Sequence, residues 1–212
     1  MGAGHPECPE RLDAIEDRLL MSGLDVALER REATAASMAD LELAHGRMHL
    51  ASLRGLSDNL RDEIKAGGPS HAQVDPDTSI NTHSWDAILM AAGAAIDATD
   101  AVMAGEMPNA FCAVRPPGHH ATRNQAMGFC FVNNVAVAAK YALERHGLKR
   151  VAIIDFDVHH GNGTEDIVAG DDRILMCSFY QHPFYPACEH SNAPNLVNVP
   201  VPAYTRGMEV RE

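Results

Sequence analysis

Residues 151–164, Val-Ala-Ile-Ile-Asp-Phe-Asp-Val-His-His-Gly-Asn-Gly-Thr, constrain the fold more than any other stretch. Four consecutive apolar residues, Val151 to Ile154, predict a strand buried on both faces, as in a parallel sheet. Polar groups then stand at every second position: Asp155, Asp157 and His159. Side chains alternate along a strand, so continued extension would project these three to one side and Phe156 and Val158 to the other. Gly161 and Gly163 predict a turn that ends the strand. Two carboxylates and an imidazole would then converge at the carboxyl end of a buried strand, where open α/β sheets bind their ligands. The alternation suits a metal ion, because it sets oxygen and nitrogen ligands a few ångströms apart on a rigid element. An acidic strand end without a metal is the plain reading of a lone Asp or His. Three at matched spacing behind an apolar run favour the site.

A second cluster precedes the first. The apolar run Ala110–Val114 predicts a short strand, followed by Arg115-Pro116-Pro117-Gly118-His119-His120. Adjacent histidines on a strand would face opposite sides. Two prolines and a glycine instead predict a loop in which both imidazoles can face one pocket. One can act as a general base while the other, charged, supplies electrostatic support or a proton. Standing alone, the motif would read as two solvated loop histidines. Gly128-Phe129-Cys130-Phe131 adds aromatic residues suited to an apolar channel or to the core.

The rest of the chain alternates helix and strand. A Pro-punctuated loop holding His5, Glu7 and Arg11 leads into a helix with Leu12, Ile15, Leu19 and Leu20 on one face. Residues 33–60 read as helical, and His45 and His49 share a face there; Gly46 stands where a metalloprotease motif needs Glu, so packed or solvated histidines are favoured over a ligand pair. Residues 66–83 read as a long loop, with Asp75 and Asp77 as rim residues. Ser84 caps the next helix, whose Ile88, Ala91, Ala92, Ala95 and Ile96 suit close packing on a sheet, and Gly105 closes it. Asn133 starts another helix, with Val135, Ala138, Ala139 and Ala142 on its inner face. Strands follow at Ile174–Phe179 and Leu196–Val201, around a loop at Gln181–Asn195. This alternation, without hairpin signals, predicts an α/β fold with an open parallel sheet flanked by helices, as a single domain over 1–212.

Composition narrows the function. The 212 residues carry a formal net charge of −12 and no Lys/Arg run, which argues against direct nucleic-acid binding. Five cysteines without a C-x-x-C pair predict reduced thiols and a cytoplasmic protein. No apolar stretch reaches membrane-spanning length, and no secretory leader opens the sequence.

Taken in order, Gly4-His5-Pro6-Glu7 with Arg11, Arg115-Pro-Pro-Gly-His119-His120, Gly128-Phe129 and Asp155-Phe-Asp157-Val-His159-His160-Gly-Asn162-Gly163 resemble the zinc-dependent histone deacetylase family. Asn162 and the His182-Pro183-Phe184-Tyr185-Pro186 run are most similar to class II deacetylases and bacterial amidohydrolase relatives. The resemblance implies an arginase/deacetylase-like fold that removes acetyl groups from lysine side chains, in proteins or peptides, or from acetylated polyamines. It implies Asp157 and His159 as zinc ligands, and His119 and His120 as the catalytic pair hydrogen-bonded to Asp155 and Asn162. His120 would be the base and, facing an amide, the less readily protonated of the two. Gly128, Phe129 and Tyr185 would line the substrate tunnel, with Arg11 near its inner end. A structural K+ would sit by Asp155, Asp157, His159 and Ser178.

The resemblance also implies a third ligand, an Asp in a later segment, then a Gly-Tyr loop, and a first strand ahead of the His-Pro-Glu motif. None has a counterpart in the 212 residues, so the domain reads as truncated at both ends and incomplete in its C-terminal part. Tyr180 and Tyr185 stand in the wrong motif to replace the phenol, and Asp172, His182, Glu189 and His190 are conceivable substitute ligands. The expectation is weak zinc binding and little turnover by these residues alone. A non-catalytic binding or regulatory remnant of the fold is the alternative reading. A two-metal arginase-like site would need a carboxylate at 161, where Gly161 stands. Self-association into a homo-oligomer is open.

Overall fold

The computed structural model describes residues 4–188 and 190–209. Its organising sheet is built from the three apolar runs of the C-terminal half: β3 (Val151–Asp155), β4 (Ile174–Gln181) and β5 (Leu196–Val201), parallel and in that order. Asp155 pairs with Ser178 and Ser178 with Asn198, so the register sets three polar side chains side by side on one face. Helices α5 (Asn134–Arg145) and α6 (Asn162–Val168) cover that face, burying Ile153, Ile174 and Met176. Burial of this apolar surface drives the arrangement, at roughly 25 cal/mol per Å².

The other face corrects the expectation of a strand buried on both sides. Ile154, Leu175 and Val197 are 56, 44 and 45% exposed, because no element among the described residues covers them. The run Ala110–Val114 forms no strand either; its Val114 carbonyl accepts from Arg11 instead of from a sheet neighbour.

The helices of the N-terminal half build the remaining core. Helix α1 (Glu10–Ser22) buries none of its residues, and its predicted face is only half covered. After the short α2 (Met38–Leu41), helix α3 (Arg47–Lys65) buries Leu50, Leu53 and Leu60. Helix α4 (Ser84–Met103) buries the predicted small-residue face, but chiefly against α5 and the 34–36 segment, not the sheet; a Cβ on Gly93 would lie 1.7 Å from the Thr34 carbonyl oxygen. His83, not Ser84, occupies its N-cap position, and Ser84 Oγ accepts from Asn81 N. Helix α5 buries Ala136, Val137, Ala139, Ala142 and Leu143, leaving Val135 outside. Residues 66–83 are not a plain loop: they fold into an antiparallel hairpin, β1 (His71–Asp75) and β2 (Thr78–Asn81), with a register shift between Gln73 and Asp75. No helix among the described residues is long and apolar enough to cross a membrane.

Candidate active site

Strand β3 ends at Asp155, and the expected extension through His159 does not occur. The chain bends, with the backbone N–H of Asp157 donating to Asp155 Oδ1 (3.1 Å) and that of His159 to Asp157 Oδ1 (2.8 Å). Each aspartate thus caps its own turn, a local competition with strand geometry that short acidic side chains win. Gln181 N donates to the Val158 carbonyl and holds the bend over the end of β4. Phe156 and Val158 stay exposed. Gly161 and Gly163 do not form a terminating turn: Gly161 is the N-cap position of α6 and Gly163 lies within it. A Cβ on Gly161 would come within 2.2 Å of Asp155 Oδ2, and one on Gly163 within 2.3 Å of the Ala121 carbonyl oxygen. The start of α6 therefore presses directly against the loop bearing the tandem histidines.

That loop brings both imidazoles to the strand end. His119 Nδ1 donates to Asp155 Oδ2 (2.9 Å) and His120 Nδ1 to Asn162 Oδ1 (2.8 Å), with ring centroids 4.0 Å apart. Asn133 anchors the loop from behind. Fully buried, it caps α5 through Ala136 N and donates from Nδ2 to the Ala121 carbonyl and to Thr164 Oγ1. His45 accepts from Asn133 N and His49 donates to the Phe131 carbonyl, so this pair packs in the core as favoured. Gly128, at φ +56°, leaves room for His120, whose Cδ2 would lie 2.5 Å from a Cβ there.

The two histidines differ in charge preference. Burial works against charging His119, but the hydrogen bond and charge of Asp155 outweigh it and raise its pKa. Burial, then the neighbouring His119, lowers His120 to about 4; Asn162 offsets this only in part. Burial would raise the Asp155 carboxyl, yet its bond to His119 prevails and the pKa is lowered.

Asp157 and His159 stand beside this pair. Asp157 Oδ1 lies 3.1 Å from His159 Nδ1 and 3.9 Å from His119 Nε2, and His159 is 5.8 Å from His120 between ring centroids. A tetrahedral ion with metal–ligand distances of about 2.0–2.2 Å spaces its ligands by ~3.3 Å, so this donor pair fits one zinc. The suggested substitutes for a third ligand do not join it. Asp172 precedes β4, at the opposite end of the sheet; His182 is exposed; His190 packs against His160; Glu189 lies outside the described residues.

The rim is aromatic. Phe184 stacks on His159 (4.9 Å, 8°), and Tyr185 sets its ring edge-on to His120 (5.0 Å). Burial, then Asp75 and Asp77, push the Tyr185 phenol up to about 12. Phe129 packs edge-on against His5 and donates its N–H to Thr78 Oγ1, while His5 Nε2 donates to the Asp77 carbonyl, which places the hairpin turn at the rim. Arg11 is held by buried Glu7, which bridges it (3.1 Å) to Arg115 (2.6 Å) and locks the N-terminal loop to the Arg-Pro-Pro segment.

One cluster went unread in the sequence. His160 and Glu165 are buried and meet His190 under the 182–195 loop. Glu165 set close to Ile167 and Val168 on a short helix was the available signal.

A parallel sheet with helices on one face gathers carboxylates and imidazoles at its strand ends, the α/β architecture expected of the arginase/deacetylase-like class. The histone deacetylase domain profile matches residues 5–212. A histone deacetylase-like amidohydrolase of Pseudomonas aeruginosa is 45% identical over 184 residues, covering 87% of this chain and 46% of that protein. The polyamine deacetylase HDAC10 of Mus musculus is 39% identical over 88% of this chain and 28% of its own length. A crystal structure of the HDA15 HD domain superposes with a TM-score of 0.83 at 35% identity, over 94% of this chain and 57% of that one. The chain belongs to the histone deacetylase family, a family of hydrolases, and spans about half the length of the Pseudomonas relative.

Proposed function

We propose that these residues carry the catalytic half-site of a zinc-dependent amidohydrolase that removes acetyl or related acyl groups from lysine side chains or polyamines. One observation carries the reading: two histidines, one paired to a carboxylate and one to an amide, flank an aspartate and a histidine spaced for one metal ion. Zinc held by Asp157 and His159 would polarise the amide carbonyl and lower the pKa of a water. His120, kept neutral, takes a proton from the attacking water. His119, charged beside Asp155, supports negative charge developing at the carbonyl oxygen, and the pair returns a proton to the leaving amine. Phe129 and Tyr185 form walls for a slender alkyl amine. The potassium set belongs to the same proposal, supported by Asp155 and Ser178 being neighbours in register. A cytoplasmic setting is supported by the five free thiols.

Among the described residues the zinc pair has no third ligand. For the 212 residues by themselves we expect weak zinc binding and slow turnover, since one missing oxyanion donor alone costs about 10²–10³. The test is acetate release from an acetyl-lysine peptide and from an N-acetylated polyamine. Slow release that needs zinc and falls at least about 10²-fold in H120A supports the reading. Turnover indifferent to chelator or to H120A contradicts it. The same two-ligand geometry favours a second reading, a binding domain, which would retain the acetylated peptide without releasing acetate.

A further inference from the structure

We propose that His160, Glu165 and His190 form a second divalent-metal site, which ties the loop bearing Phe184 and Tyr185 to the sheet. One ligating atom from each residue lies within 4.8 Å of the other two. The chemistry of the donors is already arranged for a metal. His160 is 2% exposed, and its Nδ1 lies 3.2 Å from Ser178 Oγ. His190 Nε2 lies 3.1 Å from Tyr180 Oη. With each hydroxyl oxygen accepting the ring N–H, the opposite nitrogen would carry a lone pair, the arrangement that orients histidine ligands in metal sites. Those opposite atoms, His160 Nε2 and His190 Nδ1, are both buried without a hydrogen-bond partner.

Glu165 completes the set. Its Oε2 lies 3.1 Å from His160 Nε2, in range but not along a well-directed N–H bond, and its two oxygens accept from Ser191 N (2.6 Å) and Asn198 Nδ2 (2.7 Å). Buried polar atoms without partners are costly, and a single cation would satisfy both ring nitrogens at once. Two imidazoles and a carboxylate suit a first-row divalent ion, zinc above the harder magnesium or calcium. Drawing the ligands in to a ~3.3 Å spacing asks for small side-chain rotations. A cleft lined by His160, His182, Phe184, Tyr185, Cys188 and His190 gives the ion a way in.

Occupancy would fix the loop that supplies the aromatic rim at His159 and His120. The site is separate from Asp157 and His159, so its test does not depend on the deacetylase reading. Zinc and cobalt binding are measured by calorimetry and visible absorption on a D157A/H159A protein, and again with H190A or E165Q added. One equivalent bound by D157A/H159A, weakened at least tenfold by either addition, is the expected result. No binding by D157A/H159A, or unchanged binding in a folded H190A or E165Q protein, would overturn the site. E165Q keeps the side-chain volume, and the cobalt spectrum of D157A/H159A reports nitrogen ligation directly, so misfolding of H190A would leave the question answerable.

Discussion

At the residue scale, the division of labour between the tandem histidines rests on one atom of difference in their partners. Replacing Asn162 by Asp puts a carboxylate against His120, which stabilises its charged form. N162D should therefore raise the His120 pKa from about 4 toward the ordinary imidazole range, read by ring NMR titration. An unchanged or lower value would mean that burial alone decides it. Gly161 has a sharper requirement, since a Cβ there meets Asp155 Oδ2 at 2.2 Å. G161A should break the His119–Asp155 bond, remove the upward shift of His119 and cost about 1–3 kcal/mol in urea unfolding. A retained shift would contradict that geometry. The Asp-x-Asp-x-His pattern told which residues meet, although the strand extension behind that reading was wrong: the aspartates cap turns and still end beside the imidazoles. The His160–Glu165–His190 cluster was not legible, because a loop return, not a spacing, brings His190 under α6.

At the element scale, Asn133 joins three segments: it caps α5, holds the Ala121 carbonyl and bonds Thr164 of α6. N133A should lose at least about 2 kcal/mol, a cap plus buried groups left unpaired, measured by chemical denaturation. A loss below about 0.5 kcal/mol, the scale of an ordinary surface change, would show that the loop is held elsewhere. Apolar runs and periodicity located α4, α5 and the strands β3 to β5 from residue order. It failed for the β1–β2 hairpin, because Pro, Asp, Thr and Gly around short strands look like loop. It also failed for Ala110–Val114, where an apolar run has no paired neighbour among the described residues. A strand is a property of two chains, and one run cannot announce its partner.

At the scale of the whole molecule, buried histidines tie stability to pH. His45 and His120 are each lowered to about 4, His45 by burial and then by His49. Unfolded histidines titrate near 6.5. As pH falls from about 6.5 to 4 the unfolded chain takes up protons that these native residues refuse, so stability should drop across that window. His119, raised in the native state, acts above this window: its contribution is full below about 6.5 and is lost as pH rises through its native pKa. Flat stability over this range by thermal melts would contradict the burial of both histidines. Parallel architecture was readable from strand–helix alternation, but the open apolar face of the sheet was not, since Ile154 and Ile153 look alike in sequence and only one meets a helix. The central claim, that Asp157 and His159 grip a single ion beside His120, is tested most directly by titrating zinc while following the ring nitrogens of His159. Zinc addition should shift His159 Nδ1, and the shift should be lost in D157A. His159 Nδ1 unmoved at saturating zinc in an E165Q protein would contradict that claim.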